Sequence, residues 1–215
     1  MPLLCALTST GEPAMAFCVA RLLTIAAALF TTGLRAAPPA GESPGFVPMV
    51  VNGCPIWPYT RCPGADLRHA RLAGANLVGA DLTGAKLIRA DLHAANLAGA
   101  LLDDADLTAA KMNHVNAPAA TFRRARLVGT DLDQARLMRS DFSEADFTGA
   151  NLEMARLQFA WLARARIAGA NLQEAKFVTT NLRGATFEGN FLRYTIFPDS
   201  DFEGCEGCPD KENWK

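Results

Sequence analysis

The sequence carries little charge of either sign and few aromatic residues. Of its 215 residues, 20% are charged and 8% aromatic, and the formal net charge is -1. A chain without a basic excess has nothing with which to neutralise a phosphate backbone, so nucleic acid is a disfavoured partner. Half of the residues are apolar, which excludes a disordered chain and suits one medium domain with a core. His69, His93 and His114 are the only histidines, and no spacing sets them beside a serine or cysteine nucleophile. No catalytic residue, cofactor or metal site is therefore assigned, and solvated surface accounts for these histidines and for the many aspartates. No apolar run reaches the roughly 20 residues that a transmembrane helix needs. The middle of the chain lacks cysteine altogether: all six lie outside it, at positions 5, 18, 54, 62, 205 and 208.

The longest apolar run, LLTIAAALFTTGL, occupies residues 22–34. Arg21 precedes it and the small residues of RAAPPAG follow, which is the layout of a secretory signal. Glu12 and Pro13 do not suit the start of such a leader, whereas MAFCVAR from Met15 does. The expectation is a true start at Met15 and cleavage near Ala36 or Ala37. An uncleaved anchor, holding the domain outside the inner membrane, is the alternative, and the only way the chain would meet a membrane. Residues 1–37 are thus assigned to the leader. Residues 38–64 read as linker and N-terminal cap, the Pro- and Gly-rich stretch 38–53 being the linker.

From Ala65 the chain reads ADLRH ARLAG ANLVG ADLTG AKLIR ADLHA ANLAG. A large apolar residue recurs at Leu67, Leu72, Leu77 and every fifth position to Phe202, giving 28 centres in one frame. A small residue, nearly always Ala, sits two places before each centre. A period of five fits neither regular structure. On an α-helix at about 100° per residue the apolar stripe would precess by about 140° per repeat. On a continuous strand the odd step would send successive centres to opposite faces. Only a backbone that turns once per repeat hides every centre. The small residue and the centre then point inward, the residue between them points outward, and the next two turn the corner. The second corner residue is Gly in ten repeats, where positive φ suits it.

The outward residues predict the coil length. Neighbours in adjacent coils lie about 4.8 Å apart, where opposite charges help by roughly 0.2–1 kcal/mol. At a spacing of 20 residues, charged pairs are opposite in eight cases and like in two. At 15 the figures are two and five, and at 25 three and five. The coil accordingly has four sides, and 28 repeats make seven coils standing about 34 Å tall.

The A-[D/N]-L-x-x motif over Ala65 to Gly204 resembles the pentapeptide-repeat family. The resemblance implies an all-β fold, a right-handed quadrilateral parallel β-helix, in keeping with the coil length and with the hand of parallel crossovers. Relatives include proteins that protect DNA gyrase by mimicking duplex DNA with an acidic surface. This chain departs from them: residues 65–204 hold 17 acidic and 16 basic residues with the signs interleaved, whereas a mimic needs phosphate-like potential. One repeat is irregular. At Val115-Asn116-Ala117-Pro118 the large and small inward residues are exchanged, which keeps the volume and predicts a dent rather than a break.

Four cysteines mark the ends of the repeats. Cys54 and Cys62 stand before them and Cys205 and Cys208 after, and in an exported chain they read as local disulfides on the terminal coils, within a cap that takes in residues 205–215. A shared zinc site is excluded, since the pairs lie about 34 Å apart and zinc needs sulfurs about 2.3 Å away. Two surface features remain. Arg136, Arg156 and Lys176 form the one like-charge ladder, suited to an anionic envelope component; a merely solvated strip is the plainer reading. Outward or corner positions turn apolar late in the chain, at Phe159, Trp161, Phe191, Tyr194 and Ile196, which suits a protein partner or self-association; covering by the tail through Trp214 is the alternative. The expected function is a non-enzymatic binding or scaffolding surface, periplasmic or secreted. Alternatives are a gyrase-type DNA mimic and a structural accessory subunit of an envelope complex.

Overall fold

The computed structural model describes residues 49–209; the leader, the residues up to 48, and the tail with Trp214 lie outside them. The chain enters through a hairpin. Strand β1, Met49–Val51, pairs antiparallel with β2, Cys54–Ile56, in the register Val51↔Cys54. Asn52 and Gly53 turn it with φ of 48° and 82°, as the two-residue turns of hairpins require. The linker reading fails for residues 49–53: composition overlooked the Asn-Gly pair, which is a specific turn signal. Cys54 and Ile56 are buried in the core, and the Asn52 side chain donates to the Asp66 carbonyl at 2.7 Å. Cys54 and Cys62 are brought to disulfide geometry, their Cα atoms 5.8 Å apart.

Beyond the hairpin, outward residues pair in parallel with the residue twenty places on, from Arg61↔Asp81 to Thr186↔Glu206. The repeating path thus begins one repeat before Ala65, with Thr60 and Cys62 buried as its inward pair. Four columns result. The first face carries Asp66, Lys86, Asp106, Arg126, Asp146 and Arg166; the second Arg71, Asp91, Lys111, Asp131, Asn151, Asn171 and Phe191; the third Asn76, Asn96, Asn116, Arg136, Arg156, Lys176 and Ile196; the fourth Arg61, Asp81, Leu101, Thr121, Asp141, Trp161, Asn181 and Asp201. Each straight piece is too short for a named strand except where β3, Arg166–Ala168, pairs in parallel with β4, Thr186–Glu188.

The hydrogen bonds explain how two or three residues suffice per side. Leu67 N donates to Lys86 O at 2.8 Å and Lys86 N to Ala65 O at 2.9 Å, so neighbouring coils share their backbone groups. Ala70 N returns to Leu67 O at 3.1 Å and closes the corner. Every second corner residue has positive φ, from 51° at Ala94 to 70° at Gly204, although eighteen of the 28 are not glycine. Such a conformation costs a non-glycine residue roughly 1–2 kcal/mol. The outward Asp or Asn helps to hold it. Thr83 N donates to Asp81 Oδ1 at 3.1 Å, Thr108 N to Asp106 Oδ1 at 3.0 Å and Ser143 N to Asp141 Oδ1 at 3.0 Å, each a side chain capping the backbone two residues on.

Inside, the centres from Leu67 to Leu182 are sealed, most at 0% exposure. Phe122 stacks on Phe142 at 4.7 Å and Phe177 on Phe197 at 4.8 Å, one rung apart. Polar inward residues are satisfied by the coil beneath: Thr130 Oγ1 donates to Leu107 O at 2.8 Å and Ser140 Oγ to Ala117 O at 2.6 Å. The exchanged repeat buries both Val115 and Ala117 fully, and Asn116 keeps its bridges to Asn96 and Arg136. At the far end Leu192 and Phe202 are only partly buried, and Cys205 and Cys208 lie with Cα atoms 5.9 Å apart.

Candidate interaction surface on the third face

With the interior filled, any chemistry sits on the outward columns and corners. Some of those charges are already paired. Arg124 grips Asp104 at 2.7 Å and Arg123 grips Asp141 at 2.6 Å; Arg164 meets Glu144, and Arg183 meets Asp201 at 3.5 Å and also Glu203. These pairs run through corner arginines. The predicted ladder contacts, such as Lys86 with Asp106, stay beyond ion-pair distance among the described residues, because Asp at that position bends to cap its own corner. The side-chain hydrogen bond from Arg68 holds Asp66 down to about 2. Hydrogen bonds from Arg124 and Arg164 likewise lower Asp104 and Glu144. Burial pushes Asp141 up, but hydrogen bonds from Ser143 and Arg123 leave it below its ordinary value.

The third face differs. Its first rungs are neutral, with Asn116 Nδ2 donating to Asn96 Oδ1 at 3.0 Å. Arg136, Arg156 and Lys176 then occupy consecutive rungs. All three are exposed, and no ion pair among the described residues involves them. Arg and Lys cannot accept the hydrogen bond that Asp and Asn accept from the corner. At three successive rungs the chain thus forgoes a cap and stacks like-charged residues on rungs about 4.8 Å apart, which is unfavourable on both counts. Asn76 and Asn96 show that the same face accommodates the cap.

Two grooves flank Arg156. One, of about 280 Å³, lies between the cations and the preceding corner, where His114, Gln134 and Met154 stand in a column. The other, of about 410 Å³, lies towards the following corner and is lined by Pro118, Met138, Arg139, Gln158 and Phe159. The exchanged repeat thus supplies Asn116 to one groove and Pro118 to the other. The Arg139 guanidinium lies 6.0 Å from the Phe159 ring centroid, and Phe159 is 50% exposed. Gln158 Oε1 is enclosed without a hydrogen-bond donor. Sequence reasoning passed over Gln158, which nothing in the repeat marks.

The late apolar residues form two groups. Phe191 tops the second face and Ile196 the third, with Tyr194 on the corner between them; Phe159 and Trp161 border the next corner, in earlier coils. His93 and His114 meet edge to face at 5.5 Å. Among the described residues no cluster of His, Cys, Asp or Glu could hold a metal ion.

Comparison with known proteins bears on the repeat itself. A profile for pentapeptide repeats matches in eight copies, over residues 59–87, 85–124, 119–153 and 150–189. The chain belongs to the pentapeptide-repeat family. Among solved members it is similar to HetL from the cyanobacterium Nostoc sp. strain PCC 7120, a protein involved in heterocyst differentiation regulation. That match has 29% identity over 68% of this chain and 70% of that one, with a TM-score of 0.32. QnrB1, a plasmid-mediated fluoroquinolone resistance protein, matches at 15% identity over 69% and 72% of the two chains, TM-score 0.47. A pentapeptide repeat protein of the Arabidopsis thaliana thylakoid lumen matches at 21% over 54% and 70%, TM-score 0.31. No curated protein matches.

Proposed function

We propose that this pentapeptide-repeat protein is an exported, non-enzymatic scaffold, a right-handed solenoid of seven coils that presents its outer faces to partners in the bacterial envelope. The reading is carried by the sealed interior: centres from Leu67 to Leu182 are buried, so chemistry is left only to the outward columns. The apolar run at residues 22–34 of the expected leader and the confinement of cysteines to the two ends support export, since disulfides persist in oxidising compartments. Cys54–Cys62 and Cys205–Cys208 are local staples in this reading. Partners are a protein, or a second copy meeting the group Phe191, Tyr194 and Ile196, and an anionic envelope component on the third face. Cell fractionation with N-terminal sequencing tests the reading: the expected product lies in the periplasm or medium and begins near Ala37. A cytosolic chain with Met1 intact overturns it. Ile196→Arg is expected to lower the mass in sedimentation equilibrium, and an unchanged mass removes self-association through that group.

A further inference from the structure

We propose that the grooves on either side of Arg156 form one binding site for an acidic oligosaccharide. The site deepens the reading of the third face as a binding surface.

Four observations converge on that chemistry. Arg136 and Arg156 are exposed on successive rungs and unpaired among the described residues, although the fold favours Asn there. A guanidinium fork matches a carboxylate bidentately, so the pair suits anionic groups repeated along the solenoid axis. On the neighbouring corner Asp133 Oδ2 accepts from Gln134 Nε2 at 3.2 Å and Glu153 Oε2 from Asn171 Nδ2 at 3.2 Å, and neither forms an ion pair with an arginine of the ladder. The enclosed Gln158 Oε1 is an acceptor in search of a donor, and leaving such a group unpaired costs about 1–3 kcal/mol. Oε1 is closed to solvent, so a ligand hydroxyl meets it only when the Gln158 side chain turns into the groove that it lines. Finally, Phe159 offers a half-exposed ring beside that acceptor, a flat apolar platform for the C–H face of a sugar ring.

A carboxylate, a donor hydroxyl and an apolar ring face occur together in an acidic sugar. A membrane surface would find cations and the aromatic set in grooves instead of on a broad raised patch. Nucleic acid would meet a chain whose net charge is -1, and three cations are few against phosphate-dominated binding. A peptide of glutamates would satisfy the arginines but presents no ring to Phe159.

The test is calorimetric titration of the full chain, purified without its leader, at low salt. The probes are tetragalacturonate, a hyaluronan tetrasaccharide and an oligosialate. Saturable binding of at least one is expected, with no binding of neutral maltotetraose. Arg156→Asn should weaken it about tenfold or more, as loss of a charge-assisted contact implies. Phe159→Ala and Gln158→Leu should each weaken it about threefold or more, by loss of the platform and of the acceptor. Arg126→Asn on the first face should leave it unchanged. Asn at position 156 can cap its corner, so the variant is expected to stay folded, which circular dichroism checks. Failure of all three probes overturns the proposal. So does equal affinity for a glutamate tetrapeptide or for phosphatidylglycerol vesicles, or binding untouched by Arg156→Asn. An exported protein that binds none of the probes sinks only the glycan; a cytosolic protein that binds one sinks only the envelope role.

Discussion

The first and third faces share a backbone and differ in what their outward residues do. On the first, Asp66, Lys86, Asp106, Arg126, Asp146 and Arg166 alternate in sign from rung to rung. The corner beside it carries Asp104–Arg124 and Glu144–Arg164 ion pairs. Lys86 and Arg126 each have an acid above and below, and Arg166 has Asp146 below it. On the third, Arg136, Arg156 and Lys176 follow one another, between Asn116 and Ile196. The same fold can be built with outward charges that alternate in sign, as the first face shows. Like charges stacked on the third are therefore not demanded by folding, and breaches of local consistency concentrate where function requires them.

The comparison would break if the third face were simply a weak wall. Leu127 lies behind the first face and Leu137 behind the third, both at 0% exposure. Replacing either with Ala should cost about 2–5 kcal/mol, since both leave a cavity of similar size in a close-packed column. Urea unfolding of the two variants measures this. A much smaller loss at Leu137 would mark the third face as poorly packed and its cations as a symptom.

The terminal staple tests whether the faces differ in their coupling to the ends. Removing the proposed Cys54–Cys62 staple, with a separation of eight residues, should cost about 2–3 kcal/mol on the loop-entropy estimate. Cys54→Ser with Cys62→Ser should cost the same in the wild type and in an Arg136→Asn, Arg156→Asn background, because distant sites add. Non-additivity beyond about 0.5 kcal/mol would show that strain on the third face reaches the cap.

The faces should respond oppositely to one substitution. Arg156→Asn gains a corner cap and loses a like-charge stack, so stability should rise by about 0.5 kcal/mol. Arg126→Asn gains the cap but loses the attraction of Asp106 and Asp146, so it should be neutral or destabilising by up to about 0.5 kcal/mol. Matched thermal denaturation decides. Two changes of the same sign would erase the distinction.

The five-residue period made the four-sided path legible because burying every centre admits no other, and the signs of outward residues twenty apart made the like-charge ladder legible with it. Other features depended on short-range competition that a period does not express. Asp91 and Asp106 read as ladder partners, but a carboxylate finds a backbone N–H two residues away before it reaches the next coil. The ion pairs passed instead to long corner side chains such as Arg124 and Arg164. Non-glycine corners like His69 and Phe159 adopt positive φ because the hydrogen bonds on both sides fix them. The hairpin at Asn52-Gly53 was hidden inside a proline- and glycine-rich stretch. The groove at Gln158 arises from Pro118 and Met138 in neighbouring coils, and nothing within a single repeat predicts it.

The last and smallest difference lies in acid. Asp66 is lowered to about 2 and Asp104 and Glu144 are also lowered, each by an arginine hydrogen bond on or beside the first face. Carboxyls whose folded values lie below their unfolded ones stabilise the fold fully above the unfolded values, near 4. That contribution fades as the pH falls from about 4 towards 2, when the folded groups take up protons. The melting temperature should accordingly be level from about pH 5 upward and drop below about pH 4. Arg124→Gln, which strips Asp104 of its partner, should make that drop shallower. Arg136→Asn and Arg156→Asn, which touch no carboxyl, should displace the whole curve without changing its shape. A changed slope in the third-face variants would mean that those cations do hold acids in solution, and the face would then be no more available to a ligand than the first.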